Sequence, residues 1–177
     1  NNAVDLSGTG SPEGVVTATP GSTWLQTDAT TDVKGWIKWV KATGTGNTGW
    51  QAGAEADTGK RDIVSLITAN ATDTVDYVYM RRRGSRVTLS LEIANTVTGT
   101  PHELFSAAAF PSGFKPWATY VAGHGVRAGL VQASTGDLSL YYSGLCHYST
   151  SFASFTYFYV SWETDDNWPT SLPGVAA

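Results

Sequence analysis

Three carboxylates near the end of the sequence, Glu163, Asp165 and Asp166, are the side chains that come closest to an enzyme's catalytic acids. A glycosidase needs two such carboxylates flanking the bond that it breaks. Adjacent residues of an extended chain point to opposite faces, so Asp165 and Asp166 converge only if a loop bends them together. We interpret the segment as a solvated loop, and we predict no catalytic residues and no enzymatic activity.

The histidines and the single cysteine offer no metal-binding motif. The three histidines stand far apart in the chain, and Cys146 is alone, so no zinc-binding spacing is present. His124, between two glycines, would form a metal site only if threefold assembly brought three copies together on an axis. Lone histidines are mostly structural or exposed. We therefore predict neither a metal ion nor a cofactor.

Carbohydrate binding requires less than catalysis, because aromatic rings stack on the apolar face of a sugar while polar side chains bond to its hydroxyls. Two runs of the sequence combine such residues, "YYSGLCHYST" (Tyr141–Thr150) and "WETDDNW" (Trp162–Trp168), and the loop "GHGVRAG" (123–129) is a further candidate. The residues predicted to bind carbohydrate are Tyr142, His147, Tyr148, Asp165, Asp166, His124 and Arg127.

Four arginines lie within six positions of one another: Arg81, Arg82, Arg83 and Arg86. The residues on both sides of them alternate between two faces with a period of two residues, which is typical of β-strands. Gly84 supplies the positive φ of a tight turn. We therefore place the arginines at the tip and edges of a β-hairpin, where charge keeps the turn solvated and discourages pairing between sheet edges. The net charge of -4 and the pI near 5.2 argue against a nucleic-acid partner.

Composition indicates an all-β protein. The chain has 177 residues, of which 41% are hydrophobic, and its seven Trp, eight Tyr and six Phe favour strands. No apolar run is long enough to cross a bilayer, so we expect no membrane insertion. We predict a small N-terminal β module over residues 1–57 and a β-sandwich or barrel head over residues 58–177. The module is too small to bury much surface alone, so it needs either the head or copies of itself.

The segment "FASFTYFYVSW" (Phe152–Trp162) is apolar on both faces of a predicted strand. One face belongs in the core, and the other needs a cover, because a large exposed apolar patch usually marks an interface. We predict that a second copy supplies this cover, with Phe155, Phe158 and Val160 in the interface. Cover by the N-terminal module is the alternative.

Several segments resemble proteins of bacteriophage tails. Residues 11–51 resemble a segment common in those proteins, in which a Pro-Gly-Ser-x-Trp/Tyr-Leu-x-Thr-Asp strand precedes an aliphatic strand and a Gly-Thr-Gly-x-Thr-Gly-Trp turn. The rest resembles the C-terminal receptor-binding head of minor tail proteins from phages of actinobacteria and, more distantly, the heads of lactococcal phages. The matching stretches are "TGKRDI" (Thr58–Ile63), "YMRRRGSRVTLSL" (Tyr79–Leu91), "FPSGFKPW" (Phe110–Trp117) and "NWPTSLPG" (Asn167–Gly174). Lys60 departs from the family pattern, in which an aromatic residue is common.

The resemblance implies a homotrimer of β-sandwich heads at the tip of a tail fibre or baseplate, on the virion. Its implied task is adhesion to host cell-wall carbohydrate, with other phage tail proteins as further partners. A purely structural trimerising tip and a capsid-decorating fibre head, both without enzymatic activity, are the alternatives.

Overall fold

Strands form most of the regular structure, as the composition predicts. The computed structural model describes residues 2–68, 73–95, 102–106, 108–117, 120–126, 137–141, 146–149 and 152–177, with the backbone alone for 73, 94–95, 102, 120–126, 137–141, 146–149 and 152–156. Within these ranges the chain forms thirteen strands in two sheets and one short 3-10 helix, so the fold is all-β.

The N-terminal sheet contains four strands in the order β1-β2-β3-β4. They are β1 Asp5–Gly8, β2 Thr23–Gln26, β3 Ile37–Lys41 and β4 Trp50–Ala52. β1 runs parallel to β2, and the other neighbours are antiparallel. In β3 the side chains of Ile37, Trp39 and Lys41 are buried and those between them are exposed. This alternation follows from the two-residue period of a strand.

The core of the N-terminal module includes one residue from the far end of the head. Trp39 and Trp50 are buried in it together with Trp168, which belongs to the C-terminal segment. The module thus buries its apolar face with the help of the head, which is one of the two partners that its small size predicted.

The head sheet contains nine strands in the order β13-β5-β6-β7-β12-β9-β10-β11-β8. They are β5 Arg61–Asp62, β6 Asp73–Arg83, β7 Arg86–Asn95, β8 His102–Phe105, β9 Tyr120–Val126, β10 Asp137–Tyr141, β11 Cys146–Ser149, β12 Phe152–Glu163 and β13 Val175–Ala176, with the 3-10 helix at Val64–Leu66. β6 and β7 form the predicted hairpin, with Gly84 at φ 56° in its turn. The hairpin prediction is confirmed.

The head core lies between the two ends of this curved sheet. The four inward side chains of β7, Val87 to Ile93, are fully buried, as their alternation predicts. Leu104 and Phe105 of β8, the strand at the far edge, pack into the same cluster. The Leu104 carbonyl also accepts a hydrogen bond of 2.9 Å from the Thr68 amide. The sheet therefore folds back on itself in the manner of a sandwich.

β12 requires a correction to the predicted interface. Phe158 and Val160 pair with Leu91 and Leu89 of β7 and lie in the protomer's own core, 2% and 5% exposed. They are therefore not on the protomer surface. The outward face of the strand instead carries two exposed tyrosines, described below. The side chain of Phe155, the third predicted interface residue, lies outside the described part of the structure.

Candidate functional site

At the tip of the β6–β7 hairpin the side chain of Arg82 is buried, which corrects the expectation for this residue, while Arg81, Arg83 and Arg86 are exposed. Its side chain is 6% exposed, and its guanidinium donates hydrogen bonds to the carbonyls of Gly84 (2.8 Å), Asp166 (2.9 Å), Asn167 (3.0 Å) and Gly113. Burial lowers the pKa of Arg82 to about 10, so the group remains charged at neutral pH. A single arginine thus holds the C-terminal segment against the hairpin.

A second arginine joins the hairpin to the end of the N-terminal module. Arg81 Nε donates a hydrogen bond of 2.9 Å to Asp57 Oδ1, and its Nη2 contacts the other carboxylate oxygen. The hydrogen bond from Arg81 lowers the pKa of the Asp57 carboxyl below its ordinary value. Gly84 lies so close to the module that a Cβ there would come within 2.7 Å of the Ala54 carbonyl oxygen. The joint is therefore tightly packed.

The two predicted acids of the C-terminal segment play different parts. Asp166 Oδ2 accepts hydrogen bonds of 3.0 Å from the amides of Gly113 and Lys115, so this carboxylate supports the neighbouring loop. Asp165 is exposed, and among the described residues no hydrogen bond or ion pair engages its carboxylate. The two carboxylates therefore do not act as a pair, and Asp165 is the one open to a ligand.

Asp165 lies at a cleft of about 640 Å³ between the N-terminal sheet and the C-terminal segment. We call it the joint cleft. Its floor is formed by three buried tryptophans, Trp39, Trp50 and Trp168. Its rim carries exposed polar side chains, which are Glu13, Gln51, Ser85, Asp165, Asn167 and Thr170. An aromatic floor below a polar rim can hold a ligand that has both an apolar face and hydroxyl groups.

Internal hydrogen bonds hold most of this cleft in place. Trp39 Nε1 donates to Gln26 Oε1 at 3.0 Å, and Trp50 Nε1 donates to the Val16 carbonyl at 2.8 Å. The Glu13 carboxylate accepts from the Trp50 amide at 2.7 Å. Trp168 Nε1 is buried without a hydrogen-bond partner among the described residues. Hydrogen bonds therefore position Trp39 and Trp50 in the floor, and Trp168 supplies one unused donor there.

The other predicted carbohydrate-binding residues do not join Asp165 and Asp166 among the described residues that line the cleft. Tyr142 and Arg127 lie outside the described residues. His124 lies on β9, and His147 and Tyr148 lie on β11, where the structure describes the backbone alone. The two predicted runs thus fall on separate parts of the head, and only the run that ends at Trp168 reaches the joint cleft.

The outer face of β6, β7 and β12 carries four tyrosines, which sequence reasoning did not group as a surface. The register aligns Tyr77 with Glu92 and Tyr157, and it aligns Tyr79 with Ser90 and Tyr159. The alternation of β6 and β12 contained the signal, because these tyrosines share the phase opposite to the core. We call this surface the tyrosine face.

Several residues of the tyrosine face contact one another through their side chains. The rings of Tyr77 and Tyr79 stack with centroids 4.8 Å apart, and Lys60 Nζ lies 3.9 Å from the Tyr79 centroid. A hydrogen bond to the Glu92 carboxylate raises the pKa of the Tyr157 hydroxyl above its ordinary value. Lys60 thus contacts an aromatic ring.

Within the described residues, no helix is long and apolar enough to cross a membrane, and no cluster of three metal-binding side chains occurs. Searches against protein-family models, curated proteins and solved structures found no match.

Proposed function

We propose that the chain is the head of a phage tail-fibre adhesin that binds carbohydrate of the host cell wall, with the sugar in the joint cleft. The observation that supports this proposal is the cleft's combination of a tryptophan floor with an exposed rim of amide, hydroxyl and carboxylate groups. The resemblance of several sequence segments to phage tail proteins suggests the biological setting, which is the virion, with other tail proteins as neighbours.

The dimensions and chemistry of the joint cleft suit a short glycan. Small-molecule sites typically occupy roughly 300–1,000 Å³ and combine apolar walls with a few polar groups, and the cleft's volume of about 640 Å³ falls in that range. Gln51, Ser85 and Asn167 offer neutral donors and acceptors for sugar hydroxyls. Asp165 adds a carboxylate that accepts strong hydrogen bonds.

The charge of the cleft favours a neutral glycan over an anionic polymer. Arg82 is the single cationic side chain among the described residues that line the cleft, and backbone carbonyls occupy its donors. Asp165 would repel a phosphate or carboxylate group on a ligand. We therefore expect hydroxyl-rich, uncharged sugars to bind best.

The same geometry favours binding without hydrolysis. Glycosidases use two carboxylates about 5–10 Å apart, one of which must donate a proton to the leaving group. Asp166 is engaged by two backbone amides, which leaves Asp165 as the free acid of that pair. The proposed function is therefore adhesion rather than depolymerisation.

A double substitution of the rim tests the proposal. Asp165→Ala with Gln51→Ala should weaken binding of fluorescently labelled protein to host cells at least about tenfold, because each lost hydrogen bond contributes about 1 kcal/mol and a bond to a charged group more. Glu55→Ala is the matched control, because Glu55 is exposed on the N-terminal module and does not line the cleft. Unchanged cell binding by the double variant would contradict the assignment of the cleft.

The β11 residues predicted from sequence provide a competing location on the same head. If His147→Ala with Tyr148→Ala abolishes cell binding while the rim variant binds like the parent, the sugar site lies on β11. Weak sites of either kind gain strength when several copies act together on one fibre, since linked sites bind with high effective concentration.

A purely structural tip is the second candidate function. The interlocked joint, in which Arg81 binds Asp57 and Arg82 binds four carbonyls, would also suit a rigid end piece, on a tail or on a capsid fibre. This reading predicts that the intact protein fails to bind host cells or a panel of wall glycans at any concentration tested. The position of the protein on the virion, seen by immunogold labelling, separates the tail from the capsid.

A further inference from the structure

An exposed tryptophan lies just beyond the rim of the joint cleft. The side chain of Trp117 is 65% exposed. Its amide donates a hydrogen bond of 3.1 Å to the carbonyl of Glu163, the last residue of β12. A single exposed apolar side chain needs no explanation by itself. The position of Trp117 relative to the cleft is therefore the feature that matters.

The end of β12 connects Trp117 to the cleft. The Thr164 amide donates a hydrogen bond of 2.8 Å to the Ser85 carbonyl, so the chain stays paired with the hairpin just past the strand. Along it Glu163 is exposed, Thr164 is buried and Asp165 is exposed. Because side chains of an extended segment alternate between two faces, Glu163 and Asp165 lie on the same side. Two extended residues span at most about 7 Å, so Glu163 lies close to the cleft.

Ser85 joins Glu163 to the cleft from the hairpin side. Ser85 lines the cleft, and its hydroxyl donates a hydrogen bond of 2.5 Å to Glu163 Oε2. The Glu163 carboxylate therefore lies at the edge of the cleft, between Asp165 and Trp117. A carboxylate can accept several hydrogen bonds, so Glu163 can accept from sugar hydroxyls as well as from Ser85.

The charges beside Glu163 offset one another. Arg86 is aligned with Glu163 in the neighbouring strand, and both side chains are exposed. The Arg86 guanidinium also donates a hydrogen bond of 3.0 Å to Ser161 Oγ. Neighbouring charges of opposite sign give no strong net attraction for an ion, but they supply both donors and acceptors. This surface therefore suits a neutral chain that is rich in hydroxyl groups.

We propose that Trp117 forms a second sugar-binding subsite, and that the glycan runs from the joint cleft past Glu163 to the Trp117 ring. This inference rests on the proposed function and names its substrate class, which is a neutral oligosaccharide several units long rather than a single terminal sugar. Sugar hydroxyls contact Ser85 and Glu163 at the edge of the cleft. The exposed indole then stacks on the apolar face of a further sugar ring.

The length of the sugar chain tests the subsite. The probes are neutral oligosaccharide series, from monosaccharides to hexasaccharides, screened on a glycan array and then titrated in solution by calorimetry. The parent should bind hexasaccharides at least about tenfold more tightly than disaccharides of the same series, because the longer chain reaches a second aromatic contact. Trp117→Ala and Trp117→Gln should remove most of this gain and leave disaccharide binding unchanged.

Two further variants show whether the aromatic ring itself is responsible. Trp117→Phe should keep most of the gain, because a ring remains that can stack on a sugar. Trp36→Ala is the matched control, because Trp36 is also an exposed tryptophan but lines a separate hollow on the N-terminal module. Circular dichroism should show all variants folded, since exposed side chains contribute little to stability.

Three results would overturn the subsite. The first is equal affinity of the parent for disaccharides and hexasaccharides. The second is a Trp117→Ala variant that keeps the full gain. The third is a Trp117→Ala variant whose mass by light scattering falls while the gain persists, because Trp117 would then be a contact between copies.

The subsite and the proposed function can fail separately. The rim variant, Asp165→Ala with Gln51→Ala, should weaken the binding of disaccharides and hexasaccharides alike, whereas Trp117→Ala should weaken only that of the longer chains. If the rim variant loses affinity and chain length has no effect, the cleft is the whole site and only the subsite is wrong. A parent that binds neither host cells nor any sugar on the array contradicts both.

Discussion

The joint cleft and the tyrosine face arrange the same kinds of residue in opposite ways. In the cleft the aromatic rings of Trp39, Trp50 and Trp168 are buried, and the polar groups are exposed around them. On the tyrosine face the Tyr159 ring is exposed, while Glu92, which is aligned with Tyr77 and Tyr157, is largely buried. A ligand covered with hydroxyls suits the first arrangement. A protein surface that must displace water from apolar area suits the second.

The difference shows that the face of a strand on which a residue lies decides the kind of partner that the residue can contact. Met80 and Tyr79 are neighbours on β6, yet one is fully buried in the core and the other lies on an outer face. At the hairpin tip the inward phase continues with Arg82, whose hydrogen bonds position one wall of the cleft. The same strand thus supports both sites, and each of the following experiments affects them differently.

The largest effect is expected from Arg82→Met. Four backbone carbonyls would lose their donor, and each buried acceptor left unsatisfied costs about 1–3 kcal/mol. Denaturation with urea should show this loss, and binding in the joint cleft should weaken as the C-terminal segment loosens. The exposed neighbour in Arg83→Met provides the comparison and should cost much less. Equal losses for the two variants would contradict the buried role of Arg82.

A matched pair on β12 tests which face belongs to the core. Phe158→Ala should lower the free energy of unfolding by about 3–5 kcal/mol, because Phe158 is buried and its loss leaves a cavity. Tyr159→Ala, one residue along the strand, should change it by about 0.5 kcal/mol or less, since its ring is exposed. Chemical denaturation of dilute protein measures both. Similar losses would contradict the assigned phase.

A smaller effect on stability is expected at acidic pH. The folded-state pKa of Asp57 lies below its ordinary value of 3.8, so its ion pair with Arg81 stabilises the fold above that value and loses its effect as the pH falls through the folded pKa. Asp57→Asn should remove this part of the pH dependence. Thermal melts of both proteins from neutral pH down to about pH 2.5 would measure the difference. Parallel curves would show that the pair contributes nothing.

The smallest effect should come from salt. Charge pairs at the surface are screened over about 10 Å at about 0.1 M salt, whereas stacking and neutral hydrogen bonds are not. Cell binding through the joint cleft should therefore change little as salt is raised. A steep loss of cell binding would indicate an anionic wall polymer instead.

Local pattern predicted a large part of the fold. The alternation after Arg86 and the turn at Gly84 depend on neighbouring residues alone. The two sheets divide between Ala52 and Arg61, around the boundary predicted between residues 57 and 58. β8 could not be predicted in this way, because the pattern of "HELFSAAAF" (His102–Phe110) suits a helical turn and its strand character comes from pairing with β11. Pairing between distant segments produces no pattern in the local sequence from which the strand could be predicted.

The candidate site was less predictable for the same reason. Asp165 and Trp168 were noticed in sequence as a polar and aromatic run, but their neighbours Trp39 and Trp50 come from the other module. Arg82 was placed at a solvated tip, although its phase matches that of Met80 and predicts burial. Predicting which side of β12 is exposed requires knowing which face of the sheet covers the core, and that depends on the whole sheet.

The burial of Trp168 in the N-terminal core also sets an order for folding. During synthesis the residues of β1 to β4 leave the ribosome long before Trp168 does. Their apolar side therefore stays exposed to solvent until Trp168 has been synthesised. Contacts between distant parts of a chain form slowly, since a long loop must close first. The N-terminal module, although it is synthesised first, therefore completes its core last. In a nascent chain that stops before Trp168, Trp39 and Trp50 are exposed and promote aggregation.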